Sequence, residues 1–399
     1  MSDSPKKTLS IIGGGAAALY LAAHLDSNKY EITIYEKNKA LGRKFLVAGK
    51  GGFNLTHSEG VEVLIARYTP PGFLSQSISQ LDNQSLITWL SEINIPTYKG
   101  SSNRIFPTKG MKPIEVLQRF LDRLESKGVK ILTEHTWAGW SKKGRTIFDN
   151  DLELKSDIVV FALGGASWKV TGSDGGWLPH FHRQGIKIRP FQASNCNHKV
   201  AWPEAFAEKH QGQPLKNISA RIKEKICKGE LVITETGIEG NALYALSPEV
   251  RQELQAHKKA TIYLDLKPTL TQEQVFLKLE RSTKNTTEIL RRDLKLSPVM
   301  LAMVKGLVSK EVYMNKTALS KQLKNLPLEL QGPGPIDAAI STVGGIALEE
   351  VDENFQLRKL PNHYCIGEML DWDAPTGGYL LQGCYSMGAA LAEHLNKHR

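Results

Sequence analysis

Cysteine is scarce in this 399-residue sequence, which contains only Cys196, Cys227, Cys365 and Cys384. None of them belongs to a C-x-x-C pair or to a His/Cys spacing typical of a metal site, so the sequence predicts neither a structural zinc nor a disulfide framework. We expect four buried thiols and no bound metal. The sequence also has no run of eighteen apolar residues and no apolar stretch of signal-peptide length near its start. We therefore expect a cytoplasmic protein that does not enter a membrane.

The remaining composition is that of an ordinary folded protein. Hydrophobic residues make up 41% of the chain and the mean hydropathy is -0.28, and this length accommodates two or three packed domains. The net charge of +10 is unevenly distributed, because residues 191–330 contain 22 Lys and Arg against 15 Asp and Glu. Such an excess attracts anionic substrates, phosphates or RNA, although a merely well-solvated surface has the same composition. RNA therefore stays open as a partner.

A glycine-rich turn follows the apolar segment 9–12 and carries the strongest signal in the chain. It reads Gly13-Gly14-Gly15-Ala16-Ala17-Ala18, and seventeen residues separate its end from Glu36, which closes a second β-like run. The first glycine permits a tight turn, the third lets the backbone approach a pyrophosphate, and the last alanine lets the helix pack closely on the strands. The Glu36 carboxylate can accept both ribose hydroxyls and would repel a 2′-phosphate. The spacing predicts a site for a dinucleotide with an unphosphorylated adenosine ribose.

The pattern of apolar residues divides the chain into three segments. Residues 1–190 alternate strands and helices, as in a wound α/β domain, and include a predicted helix at 112–127. The pattern in residues 191–334 predicts an inserted domain. Its first part is expected to contain antiparallel strands with no regular helices between them, and its helical part is expected to begin at the capping box Thr271–Gln274. Residues 335–399 are expected to rejoin the first domain.

Several further segments are dense in glycine and polar residues, and their order is informative. They are Gly42–Lys44, Gly49–His57, Arg104–Pro107, Ala162–Ser167, Thr342–Gly345, Gly367–Asp371 and Thr376–Tyr379. In these motifs and their order, over essentially the whole chain, the sequence resembles the flavoprotein family of aminoacetone oxidase and the bile-acid 3-dehydro-reductase. The resemblance implies a glutathione-reductase-like FAD-binding Rossmann domain of the α/β class, interrupted by an antiparallel β plus helical substrate domain. It also implies an FAD-dependent oxidoreductase that transfers hydride through the flavin N5.

The fingerprint and the resemblance together indicate which residues bind the cofactor. Glu368 is implied to bind the ribityl chain, and the backbone of Trp137, in the strand after Gly128, is implied to contact the adenine. Gly377 and Gly378 precede a final helix, whose N-terminus would donate N–H groups to the flavin and favour its anionic reduced form. The expected cofactor-binding residues are Gly13, Gly14, Gly15, Ala16, Ala17, Glu36, Lys37, Arg43, Lys44, Asn54, Trp137, Ala162, Gly164, Gly345, Gly367, Glu368, Gly377, Gly378 and Tyr379.

Three residues are candidates for catalysis: His57, Arg104 and Tyr379. Histidine has a natural pKa suited to proton transfer near neutral pH, although a partly exposed loop histidine would give the same pattern. Arg104 can hold an anionic or carbonyl-bearing substrate, and an ion pair with a carboxylate of the domain is an equal alternative. Lys44 is expected to contact phosphate or ribose rather than substrate.

The sequence departs from the family pattern on the substrate side. Gly52 and Phe53 stand where the family has arginine and cysteine, Leu380 replaces an asparagine, and Glu239 replaces a serine of the insert. A thiol-dependent mechanism is therefore unsupported, and no relative's substrate can be carried over. One hypothesis is a reductase or oxidase of a small carbonyl or amine compound. Because the insert has no second glycine fingerprint, NAD(P)H would then dock transiently near the flavin, or another donor would replace it. The alternatives are an RNA-modifying enzyme that reduces uridine to dihydrouridine and a non-catalytic flavin-binding protein.

Overall fold

The computed structural model describes residues 5–47, 53–100 and 102–397. The predicted glycine cluster at positions 49–52, including the departure at Gly52, lies outside the described residues. The chain divides into two compact units, one made of Met1–Gln192 and Ser341–Arg399 and the other of Ala193–Ile340. The first unit is thus discontinuous in sequence.

Strands and helices alternate through the first unit, and the second unit combines one sheet with a group of helices. The strands are β1 (Lys7–Ile12), β2 (Tyr30–Tyr35), β3 (Thr56–His57), β4 (Thr97–Lys99), β5 (Arg104–Pro107), β6 (Lys130–Leu132), β7 (Trp137–Trp140), β8 (Thr146–Phe148), β9 (Glu153–Leu154), β10 (Ile158–Phe161), β11 (Ile188–Ser194), β12 (His198–Lys199), β13 (Pro214–Ile222), β14 (Lys225–Ile233), β15 (Gly237–Glu239), β16 (Ala260–Asp265), β17 (Leu326–Leu330), β18 (Gly332–Pro333), β19 (Ser341–Ile346) and β20 (His363–Cys365). The helices are α1 (Ala16–His24), α2 (Arg43–Val47), α3 (Val61–Ile65), α4 (Ser75–Gln80), α5 (Asn83–Glu92), α6 (Pro113–Ser126), α7 (Leu178–Arg183), α8 (Phe206–His210), α9 (Asn241–Tyr244), α10 (Ser247–His257), α11 (Gln272–Arg281), α12 (Thr286–Glu288), α13 (Pro298–Leu307), α14 (Lys310–Met314), α15 (Lys316–Lys324) and α16 (Tyr379–Lys397).

A parallel sheet with the strand order β20-β10-β1-β2-β6 forms the centre of the first unit. All four residues of β10 are buried, as expected for a parallel strand covered on both faces. Ile12 pairs with Tyr35 on one side and with Phe161 on the other. The strands β1, β2 and β10 therefore end at one edge of the sheet, where ligands of such sheets bind. The predicted α/β Rossmann class is confirmed.

Two small antiparallel sheets accompany the parallel one, with the strand orders β3-β5-β4 and β7-β8-β9. The predicted helix at 112–127 is confirmed as α6, which begins at Pro113 and buries Val116, Leu117 and Phe120. The prediction that Trp137 lies in the strand directly after Gly128 is wrong in detail. That strand, β6, ends at Leu132, and Trp137 instead begins β7, a strand of an antiparallel sheet. The polar residues between the two strands break the run of β-like sequence.

The second unit contains an antiparallel sheet in the order β17-β16-β13-β14-β15-β12-β18. The capping box at Thr271 and Gln274 is present and opens α11. The expectation of no regular helices between the strands is wrong, because α10 lies between β15 and β16. Only Ser247 and Val250 of α10 are fully buried, so the helix lacks the apolar stripe that a sequence pattern can reveal.

The cysteines differ partly from expectation, because Cys196 and Cys365 are buried whereas Cys227 and Cys384 are half-buried. All four are thiols rather than members of a disulfide. Among the described residues, no helix combines the length and apolar character needed to cross a bilayer.

Candidate active site

The turn between β1 and α1 is shaped by two glycines at which a Cβ would clash with neighbouring atoms. Gly13 has φ +101°, and a Cβ there would lie 2.4 Å from the carbonyl oxygen of Ala162. A Cβ on Gly14 would lie 2.5 Å from Leu41 Cγ. In the part of the chain that the structure describes, no atom lies within 4 Å of a Cβ on Gly15, and no side chain caps α1 there. The helix N-terminus is thus open, with free N–H groups suited to a phosphate.

Glu36 lies directly beside this turn and is 8% exposed. Its Oε2 accepts the N–H of Gly14 at 2.9 Å, and its Oε1 accepts the backbone N–H and the side-chain amide of Asn38 at 2.9 and 2.6 Å. These bonds fix the carboxylate next to the helix N-terminus, where a ribose diol would follow a bound phosphate. Asn38 was not predicted from the sequence, because a single asparagine after a strand does not form a recognisable motif.

Lys37 and Arg43 are engaged with protein groups around the same loop. Lys37 Nζ lies 2.7 Å from Asp174 Oδ2, and Arg43 donates to Asn38 Oδ1 at 2.8 Å. Burial raises the pKa of Asp174, but the hydrogen bonds from Lys37 and the Gly176 N–H, together with the charge of Lys37, outweigh it and hold that pKa below its usual range. These two predicted binding residues support the loop that carries Glu36.

Lys44 and Glu368 form the second centre of the site. Lys44 Nζ lies 2.9 Å from Glu368 Oε2 and donates to Ser167 Oγ at 2.9 Å. Glu368 Oε1 accepts the N–H of Thr342 at 3.0 Å. A Cβ on Gly165 would lie 2.1 Å from Thr342 Oγ1. Four of the predicted polar segments thus converge on one carboxylate, although the contacts of Ser167 and Thr342 themselves were not predicted.

Glycines let the surrounding backbone pack closely onto this centre. A Cβ on Gly345 would lie 2.2 Å from the Met369 carbonyl oxygen, and one on Gly367 would lie 3.2 Å from Ala17 Cβ. The segment before Glu368 therefore contacts the first turn of α1, which begins at Ala16, and the two centres adjoin. Gly164, with φ +70°, accepts the indole N–H of Trp177 through its carbonyl oxygen at 3.2 Å.

The neighbouring thiol is chemically inert. Burial, with a smaller contribution from Glu368, raises the pKa of Cys384 to about 12. The thiolate form is therefore not populated near neutral pH.

The start of α16 is the third centre. Gly377 and Gly378 have φ +129° and +94°, and a Cβ on Gly378 would lie 2.5 Å from Thr56 Cα. The backbone of β3 thus lies against the first turn of a helix of 19 residues that begins at Tyr379. The N-terminus of such a helix carries a partial positive charge and free N–H donors.

The three predicted catalytic residues lie together at this helix start. His57 and Arg104 are register partners on β3 and β5. The His57 ring stacks on Tyr379 with 5.2 Å between ring centroids, and a Cβ on Gly377 would lie 3.6 Å from Arg104 Nε. Burial lowers the pKa of His57, and the nearby Glu59 carboxylate opposes that shift. Within the described ranges, the Arg104 guanidinium has no hydrogen bond or ion pair.

Glu59 and Arg67 complete this cluster and were missed by the sequence analysis. Tyr379 donates its hydroxyl proton to Glu59 Oε1 at 2.9 Å, and Arg67 donates to the two carboxylate oxygens at 3.0 and 2.9 Å. Burial raises the pKa of Glu59, but these hydrogen bonds outweigh it and keep the pKa below its usual range. Burial and Glu59 raise the pKa of Tyr379. The carboxylate is therefore ionised and the phenol neutral.

Two further predicted residues and two departures from the family pattern lie at the edges of the site. Among the described residues, the buried Asn54 Nδ2 has no hydrogen-bond partner. Trp137 packs its indole on Phe161, with ring centroids 4.8 Å apart, so its backbone is the part that a ligand can contact. Phe53 is buried and packs edge-on against Phe45, with 4.6 Å between the ring centroids. Leu380 is half-buried against the core. Phe53 thus puts a large aromatic ring where the family has a cysteine, and Leu380 puts an apolar side chain where the family has a polar asparagine.

These residues fit FAD. The open α1 N-terminus suits the pyrophosphate, and Glu36 suits the ribose. The Glu368 carboxylate suits a polyol, and the glycine-lined start of α16 suits an anionic ring edge. The orphaned amide donor of Asn54 is the kind of buried group that a ligand oxygen satisfies. The Ala162 carbonyl at the Gly13 turn closes the same edge of the sheet.

The fold and the site together define an FAD-binding oxidoreductase with a Rossmann domain. A family model described as "HI0933-like protein Rossmann domain" matches residues 7–394, and the chain belongs to this family. The predicted enzyme class and cofactor are thereby confirmed.

Two curated relatives align over nearly their full length. The chain is 24% identical over 405 residues to a ribosomal RNA dihydrouridine synthase of Haemophilus influenzae, covering 97% of this chain and 98% of that protein. It is 24% identical over 408 residues to a 3-dehydro-bile acid delta(4,6)-reductase of Clostridium scindens, covering 95% and 97%. Among solved structures, a 3-ketosteroid-delta4-(5alpha)-dehydrogenase from Rhodococcus jostii RHA1 matches with a TM-score of 0.51 and 11% identity, covering 100% and 99%. This last likeness concerns the fold alone.

Proposed function

We propose that this enzyme is a reductase of a small carbonyl compound and that it reduces a carbon–carbon double bond conjugated to the carbonyl. One observation carries the proposal: His57 and Arg104 are register partners beside the glycine-lined start of α16. A titratable group, a cation and a helix N-terminus thus occur in one cluster. Reduction of a conjugated carbonyl needs these three elements, because it adds a proton to carbon while negative charge develops on oxygen.

The chemistry divides between the cofactor and the protein. Bound FAD supplies hydride once it has been reduced, and NAD(P)H docking transiently is the proposed donor. As hydride reaches the β-carbon, electron density moves onto the carbonyl oxygen. Arg104, which has no partner among the described residues, is suited to hold that oxygen. A preorganised cation in a partly buried site can contribute several kcal/mol to such a step.

His57 is the proposed proton donor to the α-carbon. Its lowered pKa makes the protonated ring a stronger acid than free histidine, while reprotonation from solvent closes the cycle. Tyr379 is better suited to orienting His57 than to giving up a proton, because its hydroxyl proton is directed to Glu59 and its pKa is raised.

The names of the two curated relatives are compatible with this chemistry. Dihydrouridine is uridine in which a ring double bond conjugated to a carbonyl has been reduced. The other relative is named as a reductase of a 3-dehydro-bile acid, which is a ketone. Hydride addition to a double bond activated by a carbonyl is therefore a reaction that one site of this design can perform on either substrate class.

RNA is the second candidate substrate, and a specific feature of the second unit favours it. The basic excess is concentrated in residues 272–324, which contain 11 Lys and Arg against 5 Asp and Glu. Exposed cations there include Arg281, Arg291, Lys295, Lys305 and Lys310. A helical surface of this charge suits the phosphates of RNA.

A single-turnover experiment tests the reductase proposal. The FAD-loaded protein is reduced with NADPH or NADH without oxygen and then mixed with a cyclic enone, its saturated ketone or an amine. We expect the enone alone to reoxidise the flavin, and Arg104→Ala to slow that step. In a second arm the amine is added to the protein with its flavin still oxidised. Reduction of the flavin in that arm, with no reoxidation of the reduced flavin by the enone, would reject the reductase in favour of an oxidase.

The RNA alternative has its own test. Ribosomal and transfer RNA from a strain lacking this protein are digested and compared by mass spectrometry with wild-type RNA. Loss of a dihydrouridine site would assign RNA as the substrate. Unchanged dihydrouridine at all sites would exclude it.

A further inference from the structure

We propose that Glu59 is a positioning residue that sets the orientation and proton affinity of His57. This inference rests on the proposed role of His57 as the proton donor. Glu59 Oε2 lies 3.7 Å from His57 Nδ1, and each side chain is 13% exposed. At this separation the carboxylate favours the protonated ring, and the shortage of solvent weakens screening.

The carboxylate is fixed in place from two sides. Arg67 donates to both of its oxygens at 3.0 and 2.9 Å, and the Tyr379 hydroxyl donates to Oε1 at 2.9 Å. A forked arginine pair of this kind defines both distance and direction. Oε2 receives fewer of these bonds and is the oxygen that faces His57.

The backbone that carries the two side chains is fixed as well. The Asn83 side-chain amide donates to the carbonyl oxygen of His57 at 2.6 Å and to that of Glu59 at 2.8 Å. The N–H of Ser58 donates to the Asn103 carbonyl oxygen at 2.8 Å. The relative position of ring and carboxylate is therefore determined by the fold rather than by two freely rotating side chains.

The electrostatic balance at His57 shows what Glu59 supplies. Burial is the largest influence and lowers the pKa of His57, and the cations Arg67 and Arg104 lower it further. Glu59 raises it, together with a backbone contact at Ser102, while Tyr379 meets the ring by stacking. Removing the carboxylate charge leaves the ring beside two guanidinium groups and makes its protonated form scarce.

The pKa of His57 in the folded protein tests this directly. The ring-proton NMR signal of His57, assigned by its loss in His57→Asn, is titrated in the FAD-loaded wild type, in Glu59→Gln and in the control Glu62→Gln. Glu62 is exposed on the neighbouring helix α3. We expect the pKa to fall by about one unit in Glu59→Gln, because a neighbouring opposite charge typically contributes a shift of that order, and to stay unchanged in the control. An unchanged pKa in Glu59→Gln would overturn the inference.

A pH profile of enone turnover separates failure of this inference from failure of the proposed function. The decline of activity with rising pH should move to lower pH in Glu59→Gln by the same amount as the NMR titration, with Glu59→Asp intermediate. If wild type does not turn over any enone, the reductase proposal fails while the NMR titration still tests Glu59. If turnover occurs but Glu59→Gln has the wild-type profile and titration, only the positioning role fails. Should Glu59→Gln not fold, Glu59→Asp carries the same comparison, with a smaller shift expected.

Discussion

Replacing Gly378 with alanine should displace the start of α16 and weaken FAD binding. A Cβ at this position would lie 2.5 Å from Thr56 Cα, and its φ of +94° is unfavourable for any residue with a side chain. A left-handed conformation costs roughly 1–2 kcal/mol, and overpacking against a backbone adds roughly 1–3 kcal/mol. We therefore expect Gly378→Ala to lower the free energy of unfolding of the first unit by roughly 2–5 kcal/mol.

The chain offers a matched control at Gly110. Its φ is +93°, nearly the same as that of Gly378, but none of the described residues comes within 4 Å of a Cβ there. Gly110→Ala should therefore cost only the conformational part, roughly 1–2 kcal/mol. The difference between the two variants isolates the contact with Thr56.

The assay combines thermal unfolding with FAD titration of the apoprotein. A shifted helix start should lose at least one N–H donor to the cofactor, which raises the Kd of FAD about tenfold if that hydrogen bond contributes roughly 1.5 kcal/mol. Gly110→Ala should bind FAD as the wild type does. Equal melting temperatures and equal FAD affinities in the two variants would refute the placement of β3 against the start of α16.

Glu36→Gln should raise the Kd of FAD about tenfold or more, because a hydrogen bond to a charged acceptor contributes roughly 1.5–3 kcal/mol; an unchanged titration would place the ribose elsewhere. Turnover of an enone should fall as pH rises through the His57 pKa, which burial lowers from that of a free histidine, because only the protonated ring donates. His57→Asn should remove this dependence and slow turnover about 100-fold, and a pH profile that survives the substitution would identify another donor. Arg104→Lys should not restore the kcat/KM lost in Arg104→Ala, since lysine lacks the planar fork of arginine. Full rescue by lysine would show that Arg104 acts only through its positive charge. The double variant Arg291→Glu with Lys295→Glu should weaken RNA binding in a salt-dependent manner and leave enone turnover unchanged, and unaltered RNA binding would remove this surface from consideration.

The local features of the cofactor site were accessible from sequence. Gly13, Gly15 and Glu36 lie within one strand–helix–strand unit, so their spacing alone encodes the turn and the carboxylate. Helix α6 was predictable for the same reason, because the proline at its start and its apolar stripe both lie within one short stretch of sequence. Helix α10, with few buried side chains, has no such stripe and was missed.

The contacts that join distant segments could not be predicted from residue types. Lys44 meets Glu368 across 324 positions, and Tyr379 meets Glu59 across 320. Such pairs depend on the sheet order and on the glycines that let the backbones approach. The role of Glu59 became visible only when β3, β5 and α16 were seen to meet.

The identity of the product tests the central claim most directly. FAD-loaded protein is supplied with NAD(P)H and a cyclic enone without oxygen, and the product is identified by mass spectrometry and NMR. The account predicts a saturated ketone that has gained two hydrogen atoms across the double bond and kept its carbonyl group. An allylic alcohol, or an enone recovered unchanged while the flavin stays reduced, would contradict it.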